Sequence, residues 1–128
     1  MGSLLDPAGG ALEEAMRFRV ARAAVLAGNI ANADTPGYRR LDLRFDETLD
    51  RAEARLARTH PGHLAAGGGA DGGWRLERGP RGTRPDGNGV DFERELIAMQ
   101  RNAGAFTDLA AVLARLQGLV RTAIGSGA

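Results

Sequence analysis

Residues 29–38 read Asn-Ile-Ala-Asn-Ala-Asp-Thr-Pro-Gly-Tyr and separate an amphipathic segment from a sequence of different character. The tetrapeptide Thr-Pro-Gly-Tyr predicts a type II turn, because proline presets φ at the second position and Gly37 supplies the positive φ needed at the third. Pro36 also disfavours helical geometry at Thr35, so a preceding helix must stop by about Asp34. The stretch therefore predicts the end of a helix followed at once by a turn.

The segment before this turn predicts a first helix over about residues 11–33. Asp6 and Pro7 have the residue types of a helix start, but Gly9 and Gly10 would each cost about 1 kcal/mol inside a helix. Apolar residues recur at helical spacing, which would also suit an ordinary helix facing a core. This stripe comprises Leu12, Met16, Val20, Ala23, Ala27 and Ile30.

The middle of the chain, residues 39–89, lacks a long periodic pattern. Alternation of apolar and polar residues predicts extended segments at 41–45 and 74–78, and helical spacing predicts a short helix at 46–58. Residues 65–73 are glycine-rich and predict a loop, and residues 79–89 predict an extended linker. We therefore divide the chain into residues 1–38, this middle segment and residues 90–128.

The last part of the chain carries the cleanest pattern and predicts a second long helix. Asp91 suits the N-cap, and Glu93 and Glu95 suit the first turn because carboxylates favour the positive end of the helix dipole. Apolar residues then follow a heptad pattern whose only polar member is Gln117. The heptad positions are Phe92, Leu96, Met99, Ala103, Phe106, Ala110, Leu113, Gln117, Val120 and Ile124, with Leu109, Val112, Leu116 and Leu119 beside them.

The two predicted helices differ in length, roughly 35 Å for the first and roughly 50 Å for the second. The second also has more apolar surface than one partner helix can cover, and exposed apolar surface usually marks an interface. We therefore predict an assembly seam; the alternative is a compact monomer in which the middle segment folds back over the helices. The predicted seam comprises Leu12, Met16, Val20, Ile30, Phe92, Leu96, Met99, Phe106, Leu109, Leu113, Leu116, Val120 and Ile124.

The composition argues against catalysis and cofactor binding. The chain has no cysteine, and its serines are Ser3 and Ser126, so no hydrolase nucleophile is apparent. His60 and His63 form a loop H-x-x-H without a nearby cysteine, a weak zinc pattern that favours a solvated loop. The glycine run at 67–73 lacks the Gly-Lys-Ser/Thr ending of a phosphate loop. We predict no enzymatic activity, no metal and no cofactor.

Charge and terminal sequence limit the classes of partner. The 17 basic residues, all arginine, nearly balance 16 acidic ones, so no global field favours nucleic acid. The N-terminus lacks a secretory signal pattern, and Asp6 stands where a myristoylation motif needs serine or threonine, so no lipid anchor is predicted. No apolar run approaches the roughly 18 residues of a membrane span.

Residues 29–38, closing an amphipathic helix, resemble the N-terminal signature of bacterial flagellar axial proteins. The motifs Leu-Asp-Leu-Arg-Phe at 41–45, Thr-His-Pro-Gly-His-Leu at 59–64 and Asp-Gly-Asn-Gly-Val-Asp-Phe-Glu-Arg-Glu at 86–95 follow in order. Together they cover about half of the chain and resemble flagellar basal-body rod proteins of the proximal, FlgB type. Another rod subunit, a helical adaptor outside the flagellum and an arginine-rich nucleic-acid binder stay open as alternatives.

The resemblance implies a structural rod subunit of mainly α fold. Its terminal helices would pair as an antiparallel-type coiled coil and stack helically, transmitting torque and lining the export channel. Its partners would be copies of itself, other rod subunits, and the membrane-ring adaptor protein and export gate at the rod base. Such subunits lie in the periplasm-spanning rod and are exported by the flagellar type III system without a cleaved signal peptide. The signature residues are Asn29, Asn32, Asp34, Thr35, Pro36, Gly37 and Tyr38.

Three positions have open roles at this point. Asn29 and Asn32 would either be solvated, or form hydrogen bonds across subunits or back onto the turn. Gly104 would weaken the second helix by about 1 kcal/mol relative to alanine, or allow the close approach of a neighbour.

Overall fold

The computed structural model describes residues 6–45 and 73–126, with side chains over 9–45 and 73–125. Its elements are α1 (Asp6–Ala31), β1 (Leu41–Phe45), β2 (Trp74–Arg78) and α2 (Phe92–Ser126). The prediction of a mainly helical chain with a small β-containing middle is confirmed. The predicted helix at 46–58, the two histidines and nearly all of the glycine-rich loop lie outside the described residues.

Helix α1 begins earlier than predicted, at Asp6, and runs through both early glycines. Asp6 and Pro7 supply start signals, and a glycine cost of about 1 kcal/mol each is a weak constraint on a long helix. The helix ends at Ala31, two residues before the predicted end. Asn32 N–H still donates to the Gly28 carbonyl at 3.1 Å, so the chain leaves the helix gradually.

The predicted turn is present immediately after α1. Gly37 has φ 71°, and Tyr38 N–H donates to the Thr35 carbonyl at 3.2 Å. The positive φ predicted at Gly37 is therefore confirmed. Residues other than glycine rarely adopt this φ, so the turn requires glycine at this position. The turn directs the chain into β1.

Both predicted extended segments are strands, and they pair with each other as an antiparallel two-stranded sheet. Leu43 lies opposite Leu76, and Phe45 lies opposite Trp74. The Phe18 ring of α1 lies 5.6 Å from the ring of Phe45 and 5.6 Å from that of Trp74, measured between centroids. The aromatic cluster fixes the sheet against α1, since a two-stranded sheet is marginal by itself.

The two helices contact each other and run in opposite directions. Asn29, near the end of α1, bonds to Glu95 near the start of α2, whereas Arg19, further back on α1, bonds to Asn102. The predicted N-cap at Asp91 is confirmed, since its Oδ1 accepts from the Arg94 N–H at 3.2 Å. The structure shows a helix pair, and its supercoiling as a coiled coil stays a prediction.

The interior of the described chain is small and partly polar. Its buried apolar side chains are Phe18, Leu26 and Val90. Neither Phe18 nor Leu26 belongs to the stripe predicted for the first helix, because α1 turns a neighbouring face inward. The buried polar side chains are Asn29, Asn88, Glu95 and Asn102.

Among the described residues, α2 is long and apolar enough to cross a membrane by length and composition alone. None of the residues in its most apolar 18-residue stretch is buried. The helix meets this criterion although polar residues such as Asp108 and Arg115 interrupt its apolar runs. The finding reflects the uncovered apolar surface of α2.

Candidate functional site

Asn29 joins α1 to the strand after the turn. Its side chain is fully buried. The amide Nδ2 donates to the Leu41 carbonyl at 2.7 Å and to Glu95 Oε2 at 3.2 Å. Its Oδ1 accepts from Leu41 N–H at 2.9 Å and from the Tyr38 hydroxyl at 3.2 Å. These bonds use the full capacity of an amide, and Asn29 pairs with the Leu41 backbone as a neighbouring strand would.

Glu95 ties α2 to the same place. Its side chain is 2% exposed, and it accepts hydrogen bonds from Arg40 at both carboxylate oxygens. A buried carboxylate is costly to desolvate unless a cation and further donors satisfy it. Arg40 and Asn29 supply them, and the Glu95 hydrogen bond is the main reason that the pKa of Arg40 is raised. We call Asn29, Tyr38, Arg40, Asp42 and Glu95 the polar junction.

Asp42 extends the polar junction toward the side of α1. Its carboxylate accepts from Arg22 Nε at 2.8 Å and Arg22 NH2 at 3.2 Å, and lies 3.3 Å from Arg40. Burial by itself raises the pKa of Asp42, but the hydrogen bonds and charges of Arg22 and Arg40 together hold the pKa below its usual value. The ionised form is therefore the one that the fold stabilises.

We expect Asp42→Asn to reduce the free energy of unfolding at neutral pH by about 1–2 kcal/mol, because Arg22 loses a charged acceptor. The folded pKa of Asp42 lies below its unfolded value of about 3.9. Its stabilisation is thus complete above that value and disappears as the pH falls through the folded pKa. Urea unfolding of wild type and variant at several pH values measures the difference, which should shrink below about pH 4.

The matched control for this prediction is Asp34→Asn, since the Asp34 side chain is fully exposed. This control should have little effect at any pH. A destabilisation by Asp42→Asn that is equally large at acid and neutral pH would contradict a role for its charge.

Asn88 makes a second buried connection, from the loop before α2 to the end of α1. Its Nδ2 donates to the Asn32 carbonyl at 2.9 Å and the Thr35 carbonyl at 2.7 Å. Its Oδ1 accepts from Val90 N–H at 2.8 Å. Each of these carbonyls also accepts a backbone N–H within the turn, so Asn88 adds a second donor to both and ties the loop to the end of α1.

Residues 79–89 are not the extended linker that their composition predicts. Gly79 N–H donates to the Arg40 carbonyl and Gly89 N–H to the Tyr38 carbonyl, each at 2.8 Å. A Cβ at Gly82 would lie 1.8 Å from the Asn88 carbonyl oxygen, so the loop packs backbone against backbone. The segment is an ordered loop that holds Asn88 against the turn.

The two asparagines with open roles both bond within the chain. Asn32 Nδ2 donates to the Gly28 carbonyl at 2.8 Å, and its Oδ1 accepts from the Thr35 hydroxyl at 3.0 Å. Of the other signature residues, Tyr38 is half-buried, and the structure leaves the rest of the turn exposed. The exposed signature residues are Asp34, Thr35, Pro36 and Gly37.

The residues of the predicted assembly seam are not gathered into an interior. None of them is buried in the single chain. Where α1 and α2 touch, a polar contact stands instead, with Asn102 Nδ2 donating to the Arg19 carbonyl at 2.7 Å. Val20, Phe92, Leu96 and Ile124 are exposed. The half-buried members are Leu12, Met16, Ile30, Met99, Phe106, Leu109, Leu113, Leu116 and Val120.

The geometry suits a structural task. Within residues 6–45 and 73–126 there is no group of three or more His, Cys, Asp or Glu side chains that could hold a metal ion. The buried polar groups instead connect three segments that are distant in sequence. Reasoning from sequence overlooked the connecting roles of Arg40, Asp42 and Asn88, although Asn88 between two glycines in 86–89 signals a specific backbone environment.

Known proteins resemble this chain over most of its length. A family model described as "Flagella basal body rod protein" matches residues 11–39. The flagellar basal body rod protein FlgB of Aeromonas hydrophila is 33% identical over 130 aligned residues, covering 98% of each chain. The FlgB proteins of Cereibacter sphaeroides and Escherichia coli are 38% and 33% identical, each over 84% of this chain and 86% of the relative.

Proposed function

Because the chain belongs to the FlgB family of flagellar basal body rod proteins, we propose that it assembles through the exposed apolar faces of α1 and α2. The protein is a structural subunit of the proximal rod of the bacterial flagellum and functions in motility. Its work is mechanical rather than enzymatic, and the family implies assembly with other rod components.

The uncovered apolar surface is the observation that carries this proposal. Val20 on α1 is 60% exposed, and Leu119 and Ile124 on α2 are 67% and 72% exposed. Complete burial of a side chain of this size stabilises a protein or an interface by about 1.5–3 kcal/mol. These side chains are mostly exposed in a single chain, so the single chain lacks most of this stabilisation. Side-by-side assembly of subunits would recover it.

The distal part of α2 supports the same proposal. From Ala103 to Gly125 no residue is buried in the single chain. Helix propensity alone stabilises such a segment weakly. We propose that this part becomes fully ordered when neighbouring subunits pack on it, and that the antiparallel helices then form a coiled coil whose seam includes Phe106, Leu113 and Val120.

The family resemblance extends the proposal to the surroundings of the rod. The subunit would be exported by the flagellar type III system without a cleaved signal peptide. It would contact the membrane-ring adaptor protein and the export gate below, and copies of itself and other rod subunits above. Its terminal helices would transmit torque and line the export channel. The paired terminal helices and their uncovered apolar faces support this arrangement.

We expect Val20→Asp to prevent incorporation into the rod and to abolish swimming, while the purified monomer keeps its stability within about 0.5 kcal/mol. An exposed aspartate costs little in the free chain but would be buried without a partner in an assembled one. Subunit content of isolated basal bodies, swimming in soft agar and urea unfolding of the monomer provide the measurements.

The matched control at the same position is Val20→Leu, which keeps an apolar side chain and should retain swimming. Normal basal bodies with Val20→Asp would show that this face of α1 lies outside the assembly contacts. Deletion of the gene tests the wider proposal, since basal bodies from the deletion strain should lack rods.

A further inference from the structure

A basic groove lies between α1 and the first turns of α2. It encloses about 490 Å³ and is lined by Arg22, Arg94, Ile97, Ala98 and Arg101. Ile97 is an apolar side chain that is 48% exposed. Arg22 and Arg94 each have a carboxylate partner within the chain, whereas Arg101 has none among the described residues. These side chains suit a partner surface that presents apolar side chains together with a carboxylate.

The adjoining side of the same helical turns has that combination. Each residue of helix α2 is rotated by about 100° from the one before it. Glu95 points toward α1, and relative to it Phe92 and Leu96 are rotated to one side of the helix, whereas Arg94 and Arg101 are rotated to the other. Phe92 and Leu96 are 51% and 41% exposed. Glu93 is exposed beside Leu96, one helical turn before Ile97, and it has no ion pair among the described residues. We call Phe92, Glu93 and Leu96 the acidic patch.

We propose that the basic groove of one subunit receives the acidic patch of a second copy. In this contact Glu93 of one copy faces Arg101 of the other, and Phe92 and Leu96 cover Ile97. The proposal rests on the proposed function and adds which faces meet. Charge complementarity supports it, since Arg101 of the groove has no carboxylate partner and Glu93 of the patch has no cationic partner among the described residues.

The arrangement of these two surfaces fixes the type of contact. Groove and patch lie at the same level along α2 but on different sides, so copies meet sideways through unlike faces. A contact between unlike faces repeats from subunit to subunit and generates a ring or a helix rather than a closed dimer. This is the symmetry that a rod requires of its subunits.

Charge reversal tests the pairing in cells that carry the variants in place of the native gene. Arg101→Glu and Glu93→Arg should each reduce the subunit content of isolated basal bodies by at least about tenfold, because like charges then face each other. The double variant Arg101→Glu with Glu93→Arg should restore it. The matched control is Arg101→Glu with Glu13→Arg, which restores net charge at an exposed site on α1 and should not rescue.

Cysteine cross-linking tests which molecule occupies the groove. The chain has no native cysteine, so a variant with both Leu96→Cys and Ile97→Cys should give a ladder of disulfide-linked copies in oxidised rods. Either single variant should give none. A cross-link to a different protein would overturn the assignment to a second copy, as would normal incorporation of Arg101→Glu.

The two proposals fail in different ways. If the wild-type chain were missing from basal bodies, the proposed function would fall. If the chain were present but gave neither the ladder nor the rescue by double reversal, only the pairing of groove and acidic patch would be wrong.

Discussion

Asn29→Asp is expected to unfold the junction between the helices and the turn at neutral pH. The new carboxylate is almost the same size as the amide, but it cannot donate. Its second oxygen would face the Leu41 carbonyl and the Glu95 carboxylate, which stand 2.7 and 3.2 Å from the present amide nitrogen. Two hydrogen bonds become repulsions inside a fully buried site.

The size of this effect follows from the burial. An unpaired charge in such a site costs about 3–5 kcal/mol, against a typical total stability of about 5–15 kcal/mol for a folded domain. The described part of this chain buries only three apolar side chains, so its stability belongs at the low end. Far-UV circular dichroism and urea unfolding of the purified monomer would register the loss directly.

Asn32→Asp is the matched control, since it makes the same chemical change three residues away. Asn32 is half-exposed, and within the described chain its Nδ2 donates to the Gly28 carbonyl alone. We expect this control to cost about 1 kcal/mol. Equal unfolding midpoints for the two variants would refute the special role of Asn29.

Gly82→Ala is expected to have the second large effect. The added Cβ would lie 1.8 Å from the Asn88 carbonyl oxygen, 2.2 Å from its carbonyl carbon and 2.6 Å from Gly89 N. These are backbone atoms, so no side-chain rotation relieves the clash. The loop must shift, and Asn88 then loses its bonds to the Asn32 and Thr35 carbonyls.

We expect this substitution to cost about 3 kcal/mol, through strain and the buried Asn88 amide left without its acceptors. The amide of Gly89 reports on the loop, because it donates to the Tyr38 carbonyl. Its hydrogen exchange should accelerate by about a hundredfold or more, the equivalent of the lost free energy. Wild-type stability and exchange in Gly82→Ala would show that the backbone contact is not needed.

Gly104→Ala provides the contrast for Gly82→Ala. A Cβ at Gly104 meets nothing within 4 Å, so the exchange should stabilise the free monomer by about 1 kcal/mol. The same variant separates the two readings of Gly104. Normal rod incorporation would mean that the glycine is only a weak point of the helix, whereas reduced incorporation would mean that a neighbour approaches it closely.

Local features of the fold could be predicted from the sequence because their causes are local. The positive φ at Gly37 and the cap at Asp91 each depend on a few adjacent residues. The strands at 41–45 and 74–78 follow from alternation, and the family resemblance rests on motifs in order. These features can therefore be predicted without knowledge of the tertiary structure.

The faces of the helices could not be predicted in the same way. Periodicity counts apolar residues, so it selected Val20, which is exposed, and passed over Phe18, which is buried. Polar residues such as Asn29 and Glu95 look the same in sequence whether solvent or protein satisfies them. Their burial depends on Arg40 and the Leu41 backbone, which only the fold brings near.

The loop before α2 shows the same limit. Glycine and proline between 79 and 89 are typical of a linker, yet Asn88 and three backbone contacts hold the segment in place. Gly82 is needed for close approach rather than for flexibility. The composition of a segment shows that it has few side chains to bury. It does not show which backbone hydrogen bonds the segment forms.

The shortage of buried apolar side chains has a calorimetric consequence. The heat capacity change of unfolding grows with the apolar surface that unfolding exposes and falls with the polar surface. The described part of the free subunit buries three apolar side chains beside four polar ones, so its unfolding exposes little apolar surface. Most of the negative heat capacity change is then expected to accompany polymerisation. Because apolar burial is driven by entropy at about 25 °C and weakens on cooling, cold should weaken the rod relative to its separate subunits.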